Sequence, residues 1–235
     1  HFMNKYEIIK KIEDFASPET AESWDASGWL IETAQTNISK IMLCLTPTQE
    51  IITQAKIQNC DMIISHHPMF CVPYEYQTPT IDMYCAHTNL DKAKGGTTDT
   101  IIKSLGLSKY KINCEHEFLR IIDIPEKISI TDFSKKISKI SPNARIINNK
   151  NVKNLGKIAF CAGSGSEFIK DAKDLGADCL VTGDLKFHTA LDSEIVVYDI
   201  CHFESEIIVL PVLKNLIGDE VEIIYADEKS PFAQI

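Results

Sequence analysis

Residues 46–68 have the sequence TPTQEIITQAKIQNCDMIISHHP and contain a predicted helix followed by a predicted strand. Thr46 is expected to be the N-cap, Pro47 to occupy the first helical position and Gln49 to complete a capping box. The apolar positions that follow keep helical spacing at Ile51, Ile52, Ala55 and Ile57. Residues 62–65 then form a short apolar run, as buried strands do. A helix that leads directly into such a strand is the unit from which α/β folds are built.

The same alternation of helical patterns and short apolar runs continues along the chain. Glycine ends two further predicted helices, at Gly106 after residues 97–105 and at Gly176 after a helix that begins at Ser166. Another helix is predicted over residues 131–140. Strands are predicted at residues 38–45, 62–65, 83–86, 118–124, 157–161, 178–182, 195–200 and 221–225. The alternation predicts an α/β fold with two lobes, whose mixed and mostly parallel sheets are flanked by helices.

The composition indicates a globular protein. The chain has 235 residues, 44% of them hydrophobic, which is enough for a core and unlike a disordered segment. Its net charge of -9 argues against a protein that binds nucleic acid or an anionic membrane through bulk charge. No apolar run approaches the roughly 18 residues of a membrane span, and no signal-peptide pattern opens the chain, so we expect a cytoplasmic protein. The eight cysteines form no Cys-x-x-Cys pair and are expected to be free thiols.

Four histidines follow the ends of predicted strands: His66, His67, His87 and His202. Ligand sites form at the carboxyl ends of strands in α/β sheets, so this distribution indicates a site. Neighbouring side chains of extended backbone point to opposite faces, and the His66-His67 pair therefore suits two metal ions better than one. The alternative is a pair of loop histidines, one hydrogen-bonded and one solvated.

Carboxylates lie close to these histidines in sequence. Asp91 follows His87 and offers a hard oxygen ligand, or else it caps a turn. His202 and Glu206 are four residues apart on a predicted helix and therefore converge, whereas Glu204 is expected to face elsewhere, into solvent. Asp184 and His188 show the same spacing, and they either face a substrate or lie on the surface, with the aspartate as a helix cap.

Other common catalytic motifs are missing from the sequence. Gly163-Ser164-Gly165 lies between a predicted strand and a helix, but Phe168 stands where a dinucleotide-binding fingerprint needs glycine. There is no Gly-Lys-Ser/Thr and no Gly-x-Ser-x-Gly, so neither a P-loop nor a serine-hydrolase elbow is supported. A tight turn is the preferred interpretation of the Gly163 segment.

Six motifs, taken in order over nearly the whole chain, resemble one family, the NIF-three-like dinuclear metal proteins catalogued as GTP cyclohydrolase I type 2 homologues. They are WDASG at residues 24–28, SHHP at 65–68, HTNLD at 87–91, CAGSG at 161–165, TGDLKFH at 182–188 and HFESE at 202–206. The chain departs from the usual family pattern at Ala26, at Ser65, where threonine is common, and at Cys201, where glycine is common.

The resemblance implies two divalent metal ions per subunit, of zinc, iron or manganese, with Glu206 as the bridging ligand. The implied ligand set is His66, His67, Asp91, His202 and Glu206. The resemblance also makes Asp184 and His188 neighbours of the site. It implies a ring-like homo-hexamer, and this chain resembles a short member without the inserted middle domain. The C-terminal segment is expected to return to a metal-site lobe of residues 3–110 and 200–235, with residues 111–199 as the second lobe.

The function that follows from the resemblance is metal-dependent hydrolysis of a nucleotide-like substrate, with GTP ring opening as the specific expectation. Asp184 or His188 would then be the catalytic proton shuttle. Two alternatives stay open. One is a metal-binding, metal-handling or protein-interaction module without turnover, and the other is a two-metal phosphoesterase.

Overall fold

The computed structural model describes residues 1–69 and 81–235. The chain divides into two compact units. The first unit comprises His1–Gly96 and Val209–Lys229, and the second comprises Thr97–Ile208 and Ser230–Ile235. The predicted division into a metal-site lobe of residues 3–110 and 200–235 and a second lobe of residues 111–199 stays a prediction.

The described strands are β1 (Met3–Asn4), β2 (Gly28–Ile31), β3 (Asn37–Ile38), β4 (Lys40–Cys44), β5 (Met62–Ser65), β6 (Asp82–Cys85), β7 (Ile112–Asn113), β8 (Arg120–Ser129), β9 (Arg145–Ile147), β10 (Asn154–Phe160), β11 (Cys179–Thr182), β12 (Val196–Asp199) and β13 (Glu222–Tyr225). The described α-helices are α1 (Lys5–Phe15), α2 (Gln49–Ile57), α3 (Thr88–Lys92), α4 (Thr97–Ser104), α5 (Ile130–Ile140), α6 (Ile169–Asp174), α7 (Phe187–Asp192), α8 (His202–Glu206) and α9 (Leu210–Ile217).

The first unit contains a five-stranded sheet in the order β13-β4-β5-β6-β2. The pairs from β13 to β6 are parallel, and β2 runs antiparallel to β6 at the edge. Every residue of β5 and β6 is buried. Such strands read as continuous apolar runs because both faces of a parallel sheet are covered. His66 and His67 directly follow β5, and His87 follows β6 after one residue, so all three leave the same end of the sheet.

The second unit contains a six-stranded sheet in the order β7-β8-β10-β11-β12-β9. The central strands β10, β11 and β12 are parallel. The outer pairs β7–β8, β8–β10 and β12–β9 are antiparallel. Both sheets are therefore mixed and accompanied by helices, which confirms the predicted α/β class.

The start of α2 differs from the prediction. The helix begins at Gln49, and its N-cap is Thr48, whose side chain accepts a hydrogen bond from the backbone N–H of Ile51. The prediction of Thr46 as the N-cap was wrong by two residues. The hydroxyl of Thr46 instead lies 2.7 Å from Nδ1 of His67. Thr46 therefore contacts a predicted site histidine, and Thr48 is the residue that caps the helix.

The described cysteines are free thiols at positions 44, 60, 85, 114, 161, 179 and 201, and Cys71 lies outside the described residues. Burial raises the pKa of the Cys44 and Cys179 thiols well above the usual range. These two cysteines therefore act as small buried hydrophobic residues. Across the described ranges, each helix is too short or too polar to cross a bilayer.

Candidate metal centre

Three imidazole rings meet at the end of the first unit's sheet. The ring centroids are 5.1 Å apart for His66 and His67, 5.3 Å for His66 and His87, and 5.5 Å for His67 and His87. One nitrogen of each ring lies within 4.8 Å of one nitrogen of each other ring. Opposite directions were expected for adjacent histidines, but residues 66 and 67 lie in a bend after β5 and not in extended backbone. The bend lets both rings face His87.

A hydrogen bond occupies Nδ1 of each ring. Nδ1 of His66 lies 2.9 Å from the carbonyl oxygen of Ala86, and Nδ1 of His87 lies 2.9 Å from Oδ1 of Asp25. Both partners can only accept, so each Nδ1 carries the proton and each Nε2 carries a lone pair. In His67 the partner of Nδ1 is the hydroxyl of Thr46. This pattern is typical of metal-binding histidines, whose second nitrogen is fixed by a neighbouring acceptor.

Asp25 is the anchor of His87. Its carboxylate also accepts hydrogen bonds from the hydroxyls of Ser27 and Thr88 and from the backbone N–H of Thr88. Its side chain is 1% exposed. Burial raises the pKa of this carboxyl, but the bonds from Ser27, Thr88 and His87 outweigh burial and hold the pKa well below its usual range. Asp25 is therefore ionised and holds His87 in one orientation.

Asp91, on α3, brings an oxygen to the same place. Its Oδ1 lies 3.3 Å from Nε2 of His66. This oxygen is buried and accepts no hydrogen bond from the residues that the structure describes. Two ligand atoms that bind one ion at about 2.0–2.2 Å lie roughly 3–3.6 Å apart. The pair of Asp91 and His66 fits a shared metal ion, and a buried carboxylate oxygen without a hydrogen bond is unfavourable unless a cation binds there.

The second unit contains a further histidine between two carboxylates. Nε2 of His202 lies 2.9 Å from Oε2 of Glu206, one helical turn later on α8. Nδ1 lies 2.5 Å from Oδ2 of Asp184. Burial lowers the pKa of His202, but the hydrogen bonds and charges of Glu206 and Asp184 outweigh it and raise the pKa to about 9. Without a metal ion, a proton on His202 balances the two carboxylates, as a cation would do in a loaded site.

Glycines make room for this group in the second unit. A Cβ atom on Gly163, which has a φ of +67°, would lie 2.5 Å from Oε1 of Glu206. A Cβ atom on Gly183 would lie 2.8 Å from the carbonyl oxygen of Gly163 and 2.9 Å from the backbone nitrogen of His202. The Gly163 segment is therefore a tight turn against the Glu206 carboxylate.

Two residues beside His202 have positive φ although neither is glycine. Cys201 has a φ of 68° and Asp184 a φ of 56°. Such conformations cost about 1–3 kcal/mol and are maintained by their surroundings. Asp184 precedes α7, so the helical spacing that was expected to pair it with His188 does not apply, and its partner is His202. His188 is exposed on α7, with its ring 5.3 Å from that of Phe187.

The structure therefore groups the predicted site residues within each unit. His66, His67 and Asp91 lie together in the first unit, and His202, Glu206 and Asp184 lie together in the second. Glu204 is only half-buried, but its Oε2 is buried without a hydrogen bond from the described residues, so the expectation of a solvated acid was wrong. The sequence placed His87 among the site histidines but not in the implied ligand set, and it gave no sign of Asp25 as the anchor of that ring. His87 has the same signal as His66, a position after a buried strand.

An α/β protein with clustered imidazoles and carboxylates at the carboxyl ends of its strands belongs to the class of candidate metalloproteins. The model of one family, Duf34/NIF3 (NGG1p interacting factor 3), matches residues 3–231. The chain is 33% identical to a Clostridium perfringens protein called GTP cyclohydrolase 1 type 2 homolog, with 98% of this chain and 99% of that protein covered. A Clostridium acetobutylicum protein of the same name is 29% identical over 85% of this chain and 84% of its own length. This protein is a member of the DUF34/NIF3 family, as its six sequence motifs predicted.

Solved structures share the whole fold. Reduced HcgD from Methanocaldococcus jannaschii is similar with a TM-score of 0.85 and 26% identity, over 97% of this chain and 99% of that one. A Bacillus cereus protein related to NIF3 is similar with a TM-score of 0.84 and 18% identity, over 99% of both chains. The second likeness concerns the fold alone.

Proposed function

We propose that this protein is a metal-dependent hydrolase of a nucleotide-like substrate, and that GTP ring opening is its reaction. The observation that carries the proposal is the clustering of His66, His67 and His87, whose ring nitrogens lie within 4.8 Å of one another and whose Nδ1 atoms are each held by a hydrogen bond. The names of the curated relatives support the choice of GTP.

The proposed centre binds two divalent metal ions of zinc, iron or manganese through His66, His67, Asp91, His202 and Glu206. Glu206 is the proposed bridge because a carboxylate has two oxygens for two cations. Imidazole ligands favour these transition metals over magnesium and calcium. His87 is a further candidate ligand, since one nitrogen of its ring lies within 4.8 Å of a nitrogen of His66 and of a nitrogen of His67.

The chemistry that bound divalent ions supply at such a site is Lewis-acid polarisation and activation of water near neutral pH. In the proposed reaction, water adds to the imidazole carbon of guanine, the ring opens, and a second water releases that carbon as formate. Asp184 or His188 is the proposed proton shuttle. Asp184 would exchange a proton at Oδ2, which contacts Nδ1 of the proposed ligand His202.

A cytoplasmic location is part of the proposal. Within the described ranges, every cysteine is a free thiol. Reducing compartments keep thiols in this state.

The experiment that tests the reaction is formate release from GTP by metal-reconstituted protein, with Glu206→Gln as the matched variant. Formate from the wild type and none from Glu206→Gln is the expected result, because the amide removes a charged ligand at nearly constant volume. Equal release from both proteins would indicate a contaminating enzyme and contradict the proposal.

Metal content separates hydrolysis from metal handling. The protein is purified without a tag, and its metal is measured by elemental analysis beside Glu206→Ala. Stoichiometric metal in the wild type together with no formate would favour a metal-handling protein. Equal and substoichiometric metal in both proteins would contradict the proposed ligand set.

A further inference from the structure

Trp24 is an exposed indole beside the first unit's histidine cluster. Its side chain is 70% exposed, which is unusual because tryptophan is highly buried on average. Its ring meets that of His87 edge to face, with the centroids 6.4 Å apart and the planes at 79°. The other tryptophan, Trp29, packs edge to face against Tyr6 and Tyr84. Trp24 is therefore a large apolar surface next to candidate metal ligands, and packing against residues 1–69 and 81–235 does not account for it.

The backbone around Trp24 is held firmly. The carbonyl oxygen of Glu22 accepts a hydrogen bond from the N–H of Asp25, and the N–H of Glu22 donates to the hydroxyl of Thr88, at 3.0 Å and 2.9 Å. Nζ of Lys92 binds the carbonyl oxygen of Thr20 at 2.9 Å and the carboxylate of Glu22 at 2.9 Å. Asp25 follows directly and is anchored on Thr88 and His87. A ligand that stacks on this indole therefore meets a segment that is already ordered, and the entropy cost of binding is small.

We infer that Trp24 is a specificity-determining residue that stacks on the planar base of a purine nucleotide and holds that base beside the histidine cluster. The inference rests on the proposed function, which requires a purine ring close to these imidazoles. Stacking on an aromatic side chain uses the face of a base and leaves its edges accessible. A ring on Trp24 would thus keep its reacting carbon open towards the cluster, with His87 next to it.

The first measurement is tryptophan fluorescence of a Trp29→Phe variant, in which Trp24 is the only tryptophan. The indole of Trp24 is excited at 295 nm while GTP is added as the ligand. Inorganic tripolyphosphate, which has no base, is the control ligand. Saturable quenching by GTP and none by tripolyphosphate is expected, because only GTP brings an aromatic ring to the indole.

The second measurement is the affinity for GTP by calorimetry in the otherwise unchanged protein, so it does not depend on the Trp29 variant. Trp24→Ala is expected to weaken binding roughly 5- to 150-fold, the usual effect of removing one base-stacking side chain. Trp24→Phe is expected to keep most of the affinity. Phe232→Ala is the matched control, since Phe232 is a similarly exposed aromatic residue at 75%.

Three results would overturn the inference. They are no binding of GTP to the wild type, equal affinity in the wild type and Trp24→Ala, and a change in oligomeric state on Trp24→Ala, which would mean that a second copy covers the indole.

Failure of the proposed function is a separate result. Stacking on Trp24 without formate release would remove the hydrolysis and keep the inference. Formate release with unchanged kcat/KM in Trp24→Ala would keep the hydrolysis and remove the inference.

Discussion

The carboxylate of Asp25 determines which nitrogen of His87 carries the proton. It is ionised and accepts a bond from Nδ1, so the lone pair of the ring resides on Nε2. An amide at this position can also donate to the ring, and the other tautomer then becomes stable. The orientation of the third imidazole is thus set by a residue that lies outside the proposed ligand set.

We predict that Asp25→Asn lowers the affinity for zinc or manganese about 10- to 100-fold, as removal of such supporting contacts usually does. Isothermal titration of metal-free protein measures this. Asp14→Asn is the control, because Asp14 is exposed and pairs only with Lys10 among the described contacts. Equal affinity in all three proteins would show that His87 is not a ligand.

Gly163 offers a second prediction at the residue scale. Gly163→Ala and Gly106→Ala both place a side chain at positive φ, and each is expected to cost about 1–2 kcal/mol of stability. Only at Gly163 would the new Cβ collide with Glu206, since at Gly106 no atom of the described residues beyond its local backbone lies within 4 Å. Displacement of Glu206 removes the main contact that raises the pKa of His202.

The pKa of His202 in metal-free protein, measured by NMR titration, should therefore fall from about 9 towards 6.5 in Gly163→Ala and stay high in Gly106→Ala. The direction follows from the loss of a carboxylate that stabilises the protonated ring. A His202 that titrates alike in both variants would mean that Glu206 tolerates the methyl group.

Sequence reasoning at the residue scale found what lies next to a strand and missed what lies far away in sequence. His66 and His67 follow a recognisable buried strand, so their location was predictable. Asp25 is 62 residues from His87, and no local pattern connects them. Tertiary hydrogen bonds of this kind become visible only when the fold is known.

At the scale of elements, apolar strands were predictable from the sequence, and short edge strands with few buried residues were not. Each strand predicted from an apolar run overlaps an observed one, for example β5, whose bounds agree with the prediction. The strands β2, β7 and β9, which lie at the edges of the sheets, were not predicted. They are two to four residues long, and among their residues only Ile31 of β2 is buried. Helix α1 was also missed, although Ile8, Ile9 and Ile12 give it an apolar face.

Asp61 joins two elements of the first sheet and gives a pH-dependent prediction. It precedes β5, and its Oδ2 accepts bonds from the N–H and hydroxyl of Ser39 and from the N–H of Lys40, which starts β4. Burial raises the pKa of Asp61, but these bonds outweigh it and lower the pKa below the usual range. The stabilisation is therefore complete above pH of about 4, the unfolded pKa, and is lost as the pH falls through the folded pKa.

Asp61→Asn should reduce the free energy of unfolding by about 1–2 kcal/mol at pH 7, because a charged acceptor becomes neutral. The difference from the wild type should be constant above a pH of about 4 and should shrink as the pH falls further, through the lowered pKa of Asp61. Urea denaturation at several pH values measures both. A difference that stays constant below pH 4 as well would mean that the charge of Asp61 contributes nothing to stability.

At the scale of the whole molecule, we propose a homo-hexamer, following the resemblance to the family. Light scattering at micromolar concentration should give a mass near six times the 26.4 kDa of one chain. A mass of one chain under these conditions would contradict the proposal. The measurement belongs beside the Trp24 experiment, because both depend on which surfaces are covered in solution.

The first unit is built from two separated stretches, and this affects how the protein is made. Strand β4 pairs with β13, which the ribosome adds only after the whole of Thr97–Ile208 has been synthesised. At about 5–20 residues per second, this interval lasts on the order of ten seconds. During translation one edge of β4 therefore has no partner, and exposed strand edges of this kind attract other chains. On every round of synthesis the nascent chain thus passes through a stage at which this edge of β4 is open to pairing with another chain.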